Sequence, residues 1–434
     1  MQRDVQTGGR GNPRLITSYR DFAAELMAEG ILSDPWVDGS PRFRMTPVWL
    51  DRATQGALYA AASGVAALHA EAARLCALDP ALLARFFDLP PAYELMWRMS
   101  APAWHGIARA DVFLTAHGPQ VCELNSDTPS GEPEAVLLNR VVDGAGAAAF
   151  ADPNCRLADR VFALLQEAAR IEPGTLEGLP DPLTVGIVYP TELTDDLSVI
   201  ELYARWFEAR GARVVLGSPF NLHADGQGGV AMFGSSCSVI WRHYKTDWWG
   251  ERRTVWRSED GYADDVPLVR QLALLAGAIA RGRCAVVNPF GAVLTQNKRT
   301  MALLWEEIDR FPPWARAVIR RYLPFTARLE ALPVARLRRE KEAWVLKSDY
   351  GCEGEEVVMG AETSDAEWAR VLDDAIPTRW IAQRRFVPHA DAAGRIANFG
   401  VYVVGGDAAG IFTRLQAGHT DRTALCAPTM VSLQ

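Results

Sequence analysis

Between residues 109 and 127 the chain reads Arg-Ala-Asp-Val-Phe-Leu-Thr-Ala-His-Gly-Pro-Gln-Val-Cys-Glu-Leu-Asn-Ser-Asp. Polar and apolar residues alternate on both sides of a turn at Ala116 to Pro119, the pattern of a β-hairpin. Residues two apart in a strand share a face, so Arg109 goes with Asp111 and Glu123 with Asn125, while Cys122 and Leu124 turn to the core. A loop with an odd number of residues would set Asp111 directly opposite Glu123. Two carboxylates so placed repel unless a cation or a proton lies between them. Carboxylates with an amide oxygen suit Mg²⁺, which leaves its other positions to water and phosphate oxygens. Arg109 on the same face offers a planar donor to a phosphate. The plain alternative is a strand face whose polar residues merely meet water.

Two lysines carry the complementary charge. Lys298 follows Thr295-Gln-Asn at the start of a helical pattern, and Lys347 ends the apolar run Ala343-Trp-Val-Leu. Directly after Lys347 comes Ser348-Asp-Tyr-Gly-Cys-Glu-Gly-Glu-Glu. Glycines permit a tight loop whose backbone N–H groups face phosphate oxygens, and a lysine supplies positive charge. The lysine precedes the glycines, so this is not the P-loop pattern. A hairpin turn beside a surface lysine gives the same letters. No Gly-x-Ser-x-Gly is present, and His105, His117 and His243 lack metal-ligand spacing.

The elements that must position these residues can be read from periodicity. Tyr19 to Glu94 is helical in pattern, with an Ala- and Leu-rich stretch from Ala53 to Cys76 and a new helix at Asp79-Pro80. A helix is expected over Ala135 to Val142. Strand, helix, strand and strand follow at Leu183 to Tyr189, Ser198 to Arg210, Gly211 to Gly217 and Ser238 to Tyr244, which argues for a small parallel α/β unit. No G-x-G-x-x-G follows its first strand. Further on, Lys298 to Arg310 reads as helix, Ala343 to Lys347 as strand and the run to Gly360 as loop. A helix at Ala366 to Ala375 and strands at Trp380 to Phe386 and Asn398 to Val404 complete the pattern. The stretch Trp241-Arg-His-Tyr-Lys-Thr-Asp-Trp-Trp-Gly reads either as a recognition edge or as packing between lobes.

Composition narrows the class. Of 434 residues 49% are hydrophobic and 23% charged, enough apolar material for two or three lobes. Acids outnumber bases 53 to 45, for a net charge of −8, so no nucleic-acid partner is expected. The N-terminus lacks an apolar leader and no run is long enough to cross a bilayer, so no membrane partner and a cytoplasmic location are expected. Seven scattered cysteines without a Cys-x-x-Cys pair fit a reduced protein rather than a disulfide or thiolate-zinc scaffold.

Taken together, four blocks resemble the synthetase domain of the glutathionylspermidine synthase family, circularly permuted ATP-grasp proteins. They are Arg109-x-Asp111 with Glu123-Leu-Asn125-Ser-Asp-Thr-Pro; Asn288-Pro289 with Asn297-Lys298 and Leu303-Leu-Trp305; Lys347 with Gly351-x-Glu353-Gly354; and Gln383 followed by Gly400-Val-Tyr-x-Val-Gly-Gly-x-x-x-Gly410-x-x-x-Arg414. The acids precede the lysines, the order of the permuted group. The resemblance implies an α/β (α+β) fold, a permuted ATP-grasp with a small parallel α/β (pre-ATP-grasp) domain. Its expected divisions are residues 1–180 (N-terminal helices and the metal-binding half), 181–290 (the small α/β domain) and 291–434 (the lysine and Gly-loop half).

By the same resemblance Asp111, Glu123 and Asn125 hold Mg²⁺, while Arg109 and Arg414 act on the transferred phosphate. Lys298, Lys347, Gly351, Gly354 and Glu355 are assigned to the ATP phosphates. The strand Ala382, Gln383, Arg384 and Arg385 lines the adenine pocket, and Thr128, Ser130 and Glu201 are assigned to substrate. The implied activity is ATP- and Mg²⁺-dependent ligation of a small-molecule or peptide carboxylate to an amine acceptor. It passes through an acyl phosphate and releases ADP and phosphate. Two departures bear on this: Cys352 stands where the family has Arg, and the family's polyamine-binding acids, expected near Asp195, Asp196 and Glu201, are not reproduced as a pair. The alternatives are a degenerate ATP-grasp protein that binds nucleotide or peptide without ligation, and a kinase on the same scaffold.

Overall fold

The computed structural model describes residues 18–143, 150–171, 183–194, 196–250, 253–261, 268–351, 356–418 and 423–433. The elements that build the site, in chain order, begin with helix α1 (Arg52–Leu78), β1 (Ile107–Thr115) and β2 (Gly118–Asn125). Next come β3 (Thr184–Val188), α2 (Leu197–Glu208), β4 (Arg213–Gly217), β5 (Val239–Arg242) and β6 (Ala285–Val287). The C-terminal part contains α3 (Arg299–Glu306), β7 (Thr326–Arg328), β8 (Trp344–Ser348), β9 (Val357–Met359), β10 (Trp380–Arg384), β11 (Ile396–Val404), β12 (Asp407–Gln416) and β13 (Leu425–Ala427).

Three sheets matter. A five-stranded antiparallel sheet runs β13-β12-β11-β1-β2, so the early hairpin is completed by strands from the end of the chain. A four-stranded antiparallel sheet runs β7-β10-β8-β9. A four-stranded sheet in the order β6-β5-β3-β4 is parallel throughout. Its central strands β3 and β5 are buried along their whole length, as expected for a parallel sheet covered on both faces. The observed architecture is the expected mixed α/β fold.

Helix α1 backs the hairpin. Asp51 caps it by accepting from the Thr54 N–H at 2.6 Å, and its buried stripe includes Leu58, Ala61, Ala62, Val65, Leu68, His69 and Ala72. The alanines keep the helix slim, which lets it lie close against the inner face of the hairpin, where Ala110, Val112, Val121 and Leu124 join it in one core. The next helix, Pro80–Phe87, begins as its sequence predicts, with Asp79 accepting from the Leu82 N–H at 3.0 Å and Pro80 in the first turn. In α2 the residues Val199, Ile200, Leu202, Tyr203, Trp206 and Phe207 are buried. Trp241 packs against Tyr203 in a tilted contact and against Phe207 edge to face, so the aromatic residue that opens the Trp241–Gly250 stretch serves packing.

Some elements differ from expectation. The run to Gly360 contains β9, which pairs with β8 across Lys347 and Val357. The helix expected from Lys298 starts at Arg299, with Lys298 at its cap position, and gives way to a 3₁₀ turn at Ile308–Arg310. Among the described residues, no helix is long and apolar enough to cross a membrane.

Candidate active site

The hairpin turn holds an even number of residues, because Thr115 pairs with Gly118. Asp111 nevertheless faces Glu123, because the register shifts between Asp111 and Val112. The odd residue is a β-bulge at Cys122 rather than an odd loop. The bulge brings Glu123 to the outer face, and it corrects the expectation for Cys122, which lines a cavity beside Glu123 instead of entering the core. Leu124 does point inward, 4% exposed. The bulged Cys122 carbonyl accepts from Lys347 Nζ at 3.2 Å and from Gln383 Nε2 at 3.3 Å, which ties the four-stranded antiparallel sheet to the hairpin.

These groups surround a cavity of about 1250 Å³. Its wall includes Arg109, Asp111, Glu123, Asn125, Lys347 and Arg414, and also Ser130, Glu201, Gly351, Gln383, Arg384 and Arg385. Lys298 stands behind that wall in a small adjoining recess. Its Nζ donates to the Gly351 carbonyl at 2.5 Å and lies 3.7 Å from Glu123 Oε2. Two assigned residues are not brought to the cavity by their side chains. Ala382 is fully buried on the face of β10 opposite Gln383, packed with Trp344, Leu346 and Trp368, and Arg384 shares that face: it borders the cavity, but its guanidinium lies over Trp344 and donates to Glu340 Oε2 at 2.7 Å. Thr128 is half-buried on the loop after β2 and does not line the cavity. Gly354, Glu355, Glu353 and Cys352, and with them most of the Gly-rich loop, lie outside the described residues, as does Asp195.

Asp111 is the electrostatic centre. Arg109 Nε donates to its Oδ1 at 2.9 Å; Arg414 Nη2 and Asn398 Nδ2 donate to its Oδ2 at 2.6 and 3.2 Å. Burial pushes this carboxyl up, but the two guanidinium groups outweigh burial and hold it down at about 2. Glu123 is likewise opposed by burial and pulled below its ordinary range by Lys298 and Lys347 against the repulsion of Asp111. Arg109 is further fixed by donation from Nη1 to the Ser130 carbonyl at 2.6 Å. Four cations against two carboxylates leave this end of the cavity positive, and the low dielectric of the interior strengthens that field.

Asn398 is the residue that the sequence reading missed. Its Oδ1, beside Asp111, is buried without a hydrogen-bond partner, and so is Arg414 Nε. An unpaired amide oxygen next to two carboxylates and Asn125 suits a hard cation, and an unpaired guanidinium N–H suits a phosphate oxygen. The donor set therefore fits Mg²⁺ with phosphate. Among the described residues no group of three His, Cys, Asp or Glu side chains could hold a metal alone, so any ion here would rely on amide and phosphate oxygens. Asn398 could have been found from its position, two residues before Gly400 in the fourth block.

Asn288 ties the hairpin to the parallel sheet. Its Nδ2 donates to the carbonyls of Ile107, Ser126 and Asp127, while its Oδ1 accepts from the Ile107 N–H at 2.7 Å. Residues 268–432 match the family model for the glutathionylspermidine synthase pre-ATP-grasp region. The chain is similar to the glutathionylspermidine synthase family. The matched stretch holds Asn288, Lys298, Lys347, Gln383, Asn398 and Arg414, and leaves the hairpin of Asp111 and Glu123 outside it.

Among solved structures, a glutathione synthetase-like effector from Globodera pallida in its apo form aligns over 94% of this chain and 95% of its own, at a TM-score of 0.57 and 10% identity. At that identity the likeness is one of fold. A protein provisionally named as a gamma-glutamylcysteine synthetase from Methylobacillus flagellatus KT covers 89% of this chain and 88% of its own at a TM-score of 0.48 and 12% identity. No match was found among curated proteins.

Proposed function

We propose that this glutathionylspermidine synthase-like chain is an ATP- and Mg²⁺-dependent ligase that joins a carboxylate to an amine. One observation carries the reading: Asp111, Glu123, Lys347, Arg109 and Arg414, from strands far apart in sequence, meet in one cavity between two antiparallel sheets. Had Lys347 lain elsewhere, the reading would have failed.

In this reading Lys347, with Lys298 behind it, bears on the nucleotide phosphates, and Gln383, Arg384 and Arg385 border the base. Asp111, Glu123, Asn125 and the free Asn398 Oδ1 would hold Mg²⁺, which supplies charge neutralisation between phosphate oxygens. Arg109 and Arg414, kept charged and oriented by Asp111, face the charge that builds on the transferred phosphoryl group. The γ-phosphoryl passes to the substrate carboxylate, and an amine then displaces phosphate to leave an amide. None of this needs a nucleophilic side chain; it needs positioning and a field already in place. The cavity is large enough for both nucleotide and a second substrate.

Cys352, in place of the family's Arg, favours the second reading, a nucleotide-binding protein without ligase activity. A kinase on the same scaffold would leave a stable phosphorylated product and no amide.

The deciding experiment is a calorimetric titration with a non-hydrolysable ATP analogue, with and without Mg²⁺, followed by ADP release. Glutathione or glycylglycine serves as the carboxylate and spermidine or hydroxylamine as the nucleophile. Metal-dependent binding with ADP release in the presence of both co-substrates is expected. Binding without ADP release would select the second reading, and no binding would end both.

A further inference from the structure

Between Lys347 and Gly351, which both border the cavity, stands an aspartate that does not. Asp349 is 4% exposed and borders instead a small recess that it shares with Tyr93, Asn297, Tyr350 and Arg379. Arg379, which directly precedes β10, holds it by two sides of the guanidinium: Nε donates to Oδ2 at 2.7 Å and Nη2 to Oδ1 at 2.9 Å. The main chain repeats the tie, since the Asp349 N–H donates to the Arg379 carbonyl at 2.8 Å. The remaining nitrogen of Arg379, Nη1, donates to the Arg253 carbonyl at 2.9 Å, which fixes the plane of the guanidinium.

What Asp349 holds in turn is Lys298. The Lys298 N–H donates to the Asp349 carbonyl at 2.8 Å, and its ammonium donates to the Gly351 carbonyl. Gly351 is tied back as well, its N–H donating to Ser348 Oγ at 2.9 Å, and the Tyr350 hydroxyl donates to the Val293 carbonyl at 2.7 Å. A shift of residues 348–351 therefore carries the Lys298 ammonium with it and pulls on Lys347, two residues before Asp349. A buried ion pair adds little stability over apolar side chains of similar volume. What a two-pronged guanidinium–carboxylate pair adds is direction, because two parallel bonds fix rotation as well as position. A strand end that only had to be buried needs no such direction; two lysines aimed at phosphates do.

We propose that Arg379 is a positioning residue for the nucleotide: acting through Asp349, it sets residues 348–351 and with them the ammonium groups of Lys298 and Lys347. The proposal rests on the nucleotide site described above and not on ligation. Both lysines attract phosphate oxygens whether or not transfer follows, so loss of their aim is read as lost affinity for nucleotide.

The test is calorimetric titration of the full chain with the non-hydrolysable ATP analogue and Mg²⁺, well below the lowest thermal midpoint of the set. Arg379→Met strands the buried Asp349 carboxylate and should lower both the midpoint and the affinity. Arg379→Met combined with Asp349→Leu removes the stranded charge and fills the place with apolar volume, so the midpoint should return toward wild type. Affinity should not return with it: expected is a loss of about tenfold or more in the single and the double variant alike. Should the single variant fail to fold, the double variant carries the same comparison. Recovery of affinity together with stability in the double variant makes the pair a fastener of the fold alone and overturns the proposal. Binding within about threefold of wild type by Arg379→Met overturns it as well. No binding by wild type overturns the nucleotide reading itself, and the proposal with it.

Discussion

Asp111 and Glu132 are both buried carboxyls, with opposite neighbours. Asp111 meets two guanidinium groups; Glu132 meets a tyrosine hydroxyl and an empty side. Burial outweighs the opposing pull of its backbone N–H, His243 and Arg109 and raises the Glu132 carboxyl to about 7. The sign of its effect on stability follows. In the unfolded chain an ordinary glutamate ionises near pH 4.5, while the folded protein keeps Glu132 neutral until about pH 7. Below pH 4.5 the two states bind the same proton and nothing is lost. Between those values the folded state loses stability, on the order of 3 kcal/mol across the window. Glu132→Gln should therefore be about neutral at pH 4.5 and stabilising at pH 8, read as a gap in thermal midpoint that opens with pH. A gap that does not change with pH would contradict it. For the nucleotide site, Glu123→Gln removes one of the two facing carboxylates and should weaken Mg²⁺-dependent binding of the ATP analogue about tenfold or more, with less change when metal is absent, as calorimetry would show.

Strands decide whether those residues meet. Sequence alternation made the outer face of the hairpin legible, Arg109 and Asp111 on one strand, Glu123 and Asn125 on the other. It could not reveal the bulge, because a bulge leaves no mark in the letters beyond one residue out of phase. That is why Cys122 was misplaced although Glu123 was not. Similarly β9 was hidden, since a three-residue strand after a glycine-rich loop is too short for a period. The neighbouring strand β11 explains a further constraint. A Cβ at Gly400 would come within 2.7 Å of Arg109 Cδ, and Arg109 has little freedom to retreat, held by Asp111 and the Ser130 carbonyl. Gly400→Ala should displace the guanidinium and lower the rate of ADP release about 10- to 100-fold, while affinity for the analogue changes less than threefold. Equal losses in rate and affinity would show that Gly400 matters to the whole sheet rather than to Arg109.

At the scale of the molecule the site depends on joints between sheets that sequence order alone could not supply. The five-stranded sheet takes β1 and β2 from one end of the chain and β11 to β13 from the other, so the resemblance of four motif blocks was the sole sequence clue that these segments meet. The joint to the parallel sheet is Arg242, fully buried at the end of β5. It donates to the carbonyls of Tyr244 and Asn288 at 2.7 and 3.1 Å, and its Nη2 lies 2.5 Å from Asp127 Oδ1. Asp127 in turn accepts from the Thr246 N–H at 2.6 Å, and its backbone is held by Asn288 and Gln296. A buried pair of this kind adds little over an apolar replacement of both partners, yet breaking it from one side leaves an uncompensated charge, a loss of roughly 3–5 kcal/mol. Arg242→Met should therefore lower the thermal midpoint substantially, whereas Arg242→Met combined with Asp127→Asn should recover part of that loss, since the stranded carboxylate is gone. Asp127 stands two residues after Asn125, so the single variant should also loosen the end of β2 and weaken analogue binding even at temperatures where the protein stays folded. If the double variant is no more stable than the single one, Arg242 acts through its two carbonyl partners, and the joint is a matter of hydrogen bonding rather than charge.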